Sequence, residues 1–262
     1  MKIAIAGAGG RMGRAIIRYI VDNDLHKEFQ IMAALVKADD CLVASAVDGL
    51  DGIYYTSDSQ GSIAGSDVLL DFTQPDSTMQ LAKECAALGK CIVSGVTGLS
   101  SAQFATLSEY AKVAKIFWAP NMSIGIGIVA QALANIIPNL PDDFDIEILE
   151  MHHRDKIDAP SGTALYLAEQ ISSISDKYKI NKNLDRNGSK KQNEINFGSL
   201  RGGSVIGEHV VIFAGNSETI SIQHKAQSRD IFIKGALSAA KFIFEQQSGR
   251  IYNMNDILSI NR

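Results

Sequence analysis

The sequence predicts an α/β protein in which a doubly wound parallel sheet is followed by a second α+β domain with a mixed or antiparallel sheet. Three observations carry that expectation. Short apolar runs alternate with helical patterns through the first half of the chain. A glycine-rich turn directly follows the first apolar run. Later in the chain, strand-like runs succeed one another without helices between them. The length of 262 residues suits one large domain or two modest ones, because a single core stops growing at roughly 250–300 residues.

Taken in order, Lys2–Ala6 reads as a strand and 11–23 as an amphipathic helix with Ile16, Ile17 and Ile20 on one stripe. Residues 29–36 form a second strand and 67–73 a third, followed by a helix through 88. A fourth strand at 90–94 ends in Gly95-Val96-Thr97-Gly98. A helix over 100–114 then leads to a fifth strand at 115–119. Strands this uniformly apolar are those of a parallel sheet covered on both faces. Beyond Ala119-Pro120-Asn121 the texture changes. A helix over 124–137, a strand at 145–150 and a helix over 164–172 precede a polar stretch, 175–193, that reads as an exposed loop. Strands follow at Glu194–Arg201, 208–213 and 219–224. Ala214-Gly215-Asn216-Ser217 is a hairpin signal between the last two. A final helix over 231–246 is expected to return to the first domain. The expected division is therefore 1–122 with 234–262 as a first domain, and 123–233 as a second.

Composition removes several function classes. The 46% hydrophobic content excludes wholesale disorder. With 25 Lys+Arg against 29 Asp+Glu the net charge is −4, which argues against a nucleic-acid partner that would need a basic face. Three cysteines with no CxxC pair make neither a disulfide framework nor a thiolate metal site. They fit a reduced, cytoplasmic compartment, with Cys41, Cys85 and Cys91 read as buried and inert. The first apolar run is too short for a secretion signal. Residues 116–141 lack charge, yet Pro120, Asn121, Gln131, Asn135 and Pro138 interrupt them, so no membrane span is expected.

Two segments carry the chemistry. Gly7-Ala8-Gly9-Gly10-Arg11-Met12-Gly13 lies between a strand and a helix, spaced as G-x-x-G-x-x-G through Gly7, Gly10 and Gly13. Glycines there permit a tight turn and close approach to a pyrophosphate, which the helix N-terminus then receives. This is the signature of a Rossmann-like nucleotide fold. Cofactor choice is read at the end of the second strand. That strand ends Ala34-Leu35-Val36-Lys37 with no acid before Asp39, so Lys37 leans the site toward NADPH, with NADH possible.

The second segment runs from Met151 to Thr163 and holds adjacent His152 and His153, then Arg154 and Lys156. Clustered cations are costly to desolvate without an anionic visitor. Ser161-Gly162-Thr163 opens a helix whose N-terminus also suits an anion. A histidine supplies a proton near neutral pH and a nearby ammonium assists it. Neighbouring residues on a strand face opposite ways, so one histidine is expected to approach a substrate closely. Glu150 and Asp155 do not complete a metal-ligand pattern, and no metal is expected.

These motifs closely resemble dihydrodipicolinate reductases. The matching stretches are GAGGRMGR from Gly7, DFT-x-P from Asp71, GVTG from Gly95, APNMSIG from Ala119 and EMHHRDKIDAPSGTAL from Glu150. RGGSVIGEH from Arg201 and HKAQSR from His224 complete them, so the resemblance spans nearly the whole chain. It implies transfer of a hydride from NAD(P)H to a cyclic dicarboxylate, 4-hydroxy-tetrahydrodipicolinate, with loss of water, in the diaminopimelate route to lysine. It further implies His152 as proton donor, with Lys156 as its partner acid or a substrate-binding ammonium. His153, Ser161, Gly162 and Thr163 are implied around the substrate carboxylates. Gly7, Ala8, Gly9, Gly10, Arg11 and Met12 are implied at the pyrophosphate, and Gly95, Val96, Thr97, Ala119, Pro120, Asn121 and Met122 around the nicotinamide half. A homotetramer built through the second domain's sheet is also implied. Departures are Val36-Lys37 where some members have Glu-Arg, Met122 where an aromatic is frequent, and Gln74 where a basic residue is frequent. A related dehydrogenase of an amino or oxo diacid, or a nucleotide-sensing module without turnover, are the alternative readings. The His152–Lys156 pair speaks against a sensor.

Overall fold

A computed structural model describes residues 1–185 and 187–259. The chain divides into two compact units, Met1–Ser123 together with Asp230 onward, and Ile124–Arg229. The division thus falls at 123/124 and 229/230, not at 122/123 and 233/234. The helix expected from 231 starts at Asp230 and belongs to one unit as a whole. The part of the expected first domain beyond 259 lies outside the described residues.

The first unit begins with β1 (Lys2–Ala6), α1 (Arg11–Asp22), β2 (Gln30–Leu35), β3 (Tyr55–Thr56) and α2 (Ser59–Ala64). It continues through β4 (Val68–Asp71), α3 (Pro75–Leu88), β5 (Cys91–Ser94), α4 (Ser101–Tyr110) and β6 (Lys115–Trp118). Consecutive residues Ile3, Ala4 and Ile5 are all fully buried, as a strand covered on both faces requires. α1 buries Gly13, Ile16, Ile17 and Ile20, the i, i+3, i+4, i+7 stripe of one helix face. α3 opens with Pro75 in its first turn and closes on left-handed Gly89, φ +63°. Ser100 and Gln103 form a capping box at the start of α4. β4 is shorter than its apolar run suggests because Asp71 takes the Thr73 N–H at 3.0 Å and turns the chain. α4 ends at Tyr110 rather than 114, because the chain must reverse before β6. β3 and α2 had no clear sequence signal.

The second unit contains α5 (Ile124–Ile136), β7 (Asp145–His152), α6 (Gly162–Ile174), β8 (Lys179–Ile180), β9 (Glu194–Arg201), β10 (Gly207–Ala214) and β11 (Thr219–Ala226). Its sheet has the order β11-β10-β7-β9-β8 among the described residues. β10 runs antiparallel to β7 and β11, whereas β7, β9 and β8 are mutually parallel, so the sheet is mixed as expected. One face packs Ile146, Ile148, Phe197, Val211 and Phe213 against Leu133, Leu167 and Ile171 of the helices. The expected hairpin is closed by Gly215 N–H donating to the Glu218 carbonyl at 2.9 Å. The stretch 175–193 is not wholly loop, since β8 pairs with β9 and Tyr178 is buried. Arg186, which also falls in that stretch, lies outside the described residues.

The chain then returns to the first unit with α7 (Asp230–Glu245), β12 (Arg250–Tyr252) and α8 (Met254–Ser259). The first unit's sheet reads β12-β6-β5-β4-β1-β2-β3 among the described residues, and every pairing is parallel. Strand order reverses between β1 and β4, which is where doubly wound sheets bind ligands, beyond the strands' carboxyl ends. The uncharged stretch 116–141 resolves into β6, a turn and α5. No described helix is long and apolar enough to cross a membrane. Of the three cysteines, Cys85 and Cys91 are buried, but Cys41 is exposed, because it sits in the turn-rich segment after β2 and not in a core element.

Candidate active site

In the first unit the loop after β1 sits at the switch point. Gly7 is left-handed, φ +76°, and a Cβ there would lie 2.7 Å from the Phe72 carbonyl oxygen. A Cβ at Gly13 would meet the Gly7 carbonyl oxygen at 2.3 Å, so this glycine is what lets α1 pack on the loop. The loop is tied by the Gly10 N–H to the Gly7 carbonyl and by the Ala8 N–H to the Leu35 carbonyl, both 2.9 Å. Gly10 begins α1 without a side-chain cap among the described residues, which leaves the first turn to an incoming anion.

Gly7, Gly9, Gly10 and exposed Lys37 line one cavity of about 590 Å³. Arg11, Met12, Gly95, Val96 and Thr97 line a second, of about 360 Å³. Phe72, Thr73 and Gln74 border both. Ala8 is buried beneath the loop. Ala119 and Met122 are buried, Pro120 is exposed and Asn121 is half-buried; these four line neither cavity. The Ala119 N–H donates to the Ser94 carbonyl at 3.2 Å. A loop closed to a Cβ at Gly7 and Gly13, opening on a helix start without a side-chain cap, fits a dinucleotide pyrophosphate.

Behind both cavities lies Asp71, fully buried at the end of β4. Its carboxylate accepts from Thr73 Oγ1 at 2.5 Å, Thr78 Oγ1 at 2.6 Å and Ser94 Oγ at 2.8 Å. Ser94 Oγ in turn accepts the Val96 N–H at 3.3 Å. Burial pushes the Asp71 carboxyl up, against these hydrogen bonds, which lower it. One buried side chain thus anchors both loops, Phe72–Gln74 and Gly95–Thr97.

In the second unit β7 delivers His152 at its last residue, 8% exposed, with Glu150 on the same face two residues earlier. His152 Nδ1 lies 2.5 Å from Glu150 Oε2. The Glu150 side chain is entirely buried. It accepts two bonds from Arg201, at 2.8 and 2.9 Å, and one from the Ser161 N–H at 3.3 Å. Burial raises its carboxyl, but Arg201, Ser199 and His152 hold it below the ordinary carboxylate range. A carboxylate only accepts, so Nδ1 carries the proton shared with it and Nε2 is the free nitrogen. A Cβ on Gly207 would lie 3.1 Å from that Nε2, so glycine keeps this edge of the ring uncrowded.

Ser161, 1% exposed, caps α6 by accepting the Ala164 N–H at 3.2 Å. Its one hydroxyl proton is then available to His209 Nε2, 3.1 Å away. His209 stands edge-on to His152, ring centroids 5.1 Å apart, and burial, with His152 beside it, pushes it down to about 3. His152 is also lowered, by burial first and by the charges of Lys156 and Arg201, with Glu150 opposing. Lys156 donates to Asp158 Oδ1 at 2.8 Å and so is engaged by a carboxylate other than Glu150. Arg201 also donates to the Lys156 carbonyl at 3.2 Å and the Asp158 carbonyl at 2.6 Å, pinning that loop. His153 is half-buried, beyond the end of β7. Gly162 is exposed with nothing within 4 Å of its Cβ position, and Thr163 is half-buried behind it, so the start of α6 is open. Arg229 is exposed, and His224 faces His209 across the β10–β11 pairing. Among the described residues no group of three or more His, Cys, Asp or Glu is placed to hold a metal.

Glu150, Arg201, His209, Gly207 and Asp71 had no assigned role in the sequence reading. Period-two alternation from His152 would have put Glu150 on its face. The others meet the site only through strand register and turn geometry.

Comparison with known proteins places this geometry in a family. Residues 1–122 match the family model described as dihydrodipicolinate reductase, N-terminus, and residues 125–258 that described as dihydrodipicolinate reductase, C-terminus. The chain is 38% identical to the 4-hydroxy-tetrahydrodipicolinate reductase of Nitrosomonas eutropha, covering 99% of this chain and 98% of that protein. It is 40% identical to that of Buchnera aphidicola subsp. Schizaphis graminum, covering 98% and 96%. Its fold is similar to the dipicolinate-bound dihydrodipicolinate reductase from Paenisporosarcina sp. TG-14, with a TM-score of 0.79 at 24% identity over 97% of each chain. Matches to both family models, together covering almost the whole sequence, show that the chain belongs to the dihydrodipicolinate reductase family.

Proposed function

We propose that this protein reduces 4-hydroxy-tetrahydrodipicolinate to tetrahydrodipicolinate, with loss of water, in the diaminopimelate route to lysine. The observation that carries the reading is His152, held through Nδ1 by a buried carboxylate with Nε2 free, beside the open start of α6. The reaction adds a hydride and a proton and releases water, so it needs a proton source next to an anion site. The nicotinamide, when bound, supplies the hydride. His152 supplies the proton from Nε2. Lys156, His153 and the Ser161–Thr163 helix start receive the substrate carboxylates, for which cationic side chains and helix N–H groups are suited. The Gly7–Met12 loop holds the pyrophosphate, and Gly95–Thr97 with Ala119–Met122 hold the nicotinamide half. Lys37, on the rim of the glycine-lined cavity, supports a preference for NADPH over NADH. Outward apolar residues on the second unit's sheet support a homotetramer, and the reduced thiols fit the cytoplasm.

The test generates the unstable substrate in situ with the synthase that precedes it, and follows loss of nicotinamide absorbance. NADPH oxidation that depends on the synthase's product is expected; no oxidation with either cofactor overturns the reading.

A further inference from the structure

We propose that Glu150, clamped by Arg201, is the positioning residue for His152: it fixes the ring's tautomer, aims Nε2 at the substrate, and stabilises the imidazolium from which the proton leaves. The proposal rests on the reading of His152 as proton donor.

A carboxylate with no exposed side-chain surface is costly to leave uncompensated. Besides Ser199, four donors engage it, two from Arg201, one from Ser161 N–H and one from His152 Nδ1. A purely structural Glu150–Arg201 pair would be complete without the histidine. Instead the imidazole makes the shortest of the four contacts, and a hydrogen bond to an ionised carboxylate is among the strong ones. Because the carboxylate cannot donate, this bond decides which nitrogen is free. The same carboxylate holds the N-cap residue of α6, so the proton-bearing ring and the proposed carboxylate-binding turn are referenced to one atom group. Arg201 fixes the plane of that group with its two-pronged contact and also pins the loop carrying Lys156 and Asp158.

The charged and titratable groups around the ring come from every neighbouring element. Glu150 lies on β7 itself, Arg201 comes from β9, and His209 from β10 with His224 across from it on β11. Lys156 and Asp158 come from the following loop. His209 is held neutral by burial. Glu150 is therefore the anion in direct contact with His152, and Arg201 and Lys156 are the opposing cations.

The test compares Glu150→Gln, Glu150→Asp and Arg201→Lys in the full enzyme, by pH–rate profile and by NMR titration of the His152 ring in ¹⁵N-histidine-labelled protein. Glu150→Gln keeps an acceptor for Nδ1 but removes the charge. It is expected to lower kcat about 10–100-fold, the usual worth of such a supporting contact, with KM within about threefold. It should also move both the alkaline limb and the NMR midpoint about one unit lower, the size of one close opposite charge. Glu150→Asp and Arg201→Lys keep the charges and misplace them, so kcat should fall while the limb stays. A structural role would lower the rate without moving the titration. Unmoved limb and midpoint in Glu150→Gln overturn the proposal. Should that variant fail to fold, wild-type kcat in both charge-preserving variants overturns it instead. Failure of the underlying reading is separate, because it shows as wild-type turnover in His152→Gln, whereas the NMR midpoint needs no turnover.

Discussion

A proton donor that works near neutral pH must be buried enough to be a ready acid, yet paired enough to hold its proton, and the proposed donor His152 is both buried and paired with Glu150. Burial lowers it while Glu150 opposes the lowering. Replacing it, His152→Gln, is expected to reduce turnover by about 10²–10⁴, the range of a general acid, measured with in situ substrate. Lys37→Ala should raise KM for NADPH about tenfold, one lost charge-assisted contact, and leave KM for NADH nearly unchanged; equal effects would make Lys37 a bystander. His209 yields a stability prediction. Its imidazole titrates near 3 in the folded unit against 6.5 for a free histidine. The unfolded chain therefore takes up a proton that the folded unit refuses, and this contribution to stability, complete above pH 6.5, is lost as pH falls toward 3. Urea midpoints of the wild type should fall more steeply between pH 7 and 4.5 than those of His209→Gln, which does not titrate. At this scale the sequence was partly readable. His152, Lys156 and the serine cap stand together in one segment and announce themselves. Arg201 and His209 lie 49 and 57 positions after His152 and reach it only because β9 and β10 flank β7 in a particular register.

Elements with one strong period were legible, and those defined by their neighbours were not. β1, α1 and α3 follow apolar runs, stripes and caps that belong to their own residues. β3, β8 and β12 have two or three residues each and exist because an adjacent strand offers an edge, which no local pattern encodes. Helix α7 shows how tightly such neighbours constrain a position. A Cβ at Gly235 would come within 1.6 Å of the Met122 carbonyl oxygen, a backbone atom that no rotamer change removes. Gly235→Ala must therefore displace α7 or the turn before α5. It is expected to destabilise the first unit by about 3 kcal/mol, at the upper end of overpacking costs, read as a lower urea midpoint. Because Met122 belongs to the proposed nicotinamide-binding turn, KM for the cofactor should rise in the same variant. An unchanged midpoint would mean that the helix and turn part easily.

For the whole molecule, the net charge of −4 hides a local cation, Arg201, clamped on one buried carboxylate, and the linear order hides a first unit completed only by its last segment. The mixed sheet of the second unit leaves one further large-scale feature. Its inner face is covered by α5 and α6. On the outer face, register places Leu149 beside Gly198 and Val210, and Met151 beside Leu200. Leu149 is 39% and Leu200 56% exposed. A cluster of apolar side chains on the open side of a sheet is costly in water and is a usual mark of an association surface. A homotetramer formed through this face would bury those residues, and because the face lies opposite His152 and Glu150, the proposed proton-donating network would stay clear of it. Leu149→Lys with Leu200→Lys places like charges next to one another at such an interface. The doubly substituted protein is expected to sediment as a smaller species, while the NMR midpoint of His152 stays where it is in the wild type. Sedimentation equal to the wild type, with that species a tetramer, would move the interface to another surface; a wild type that sediments as a monomer would remove the tetramer altogether.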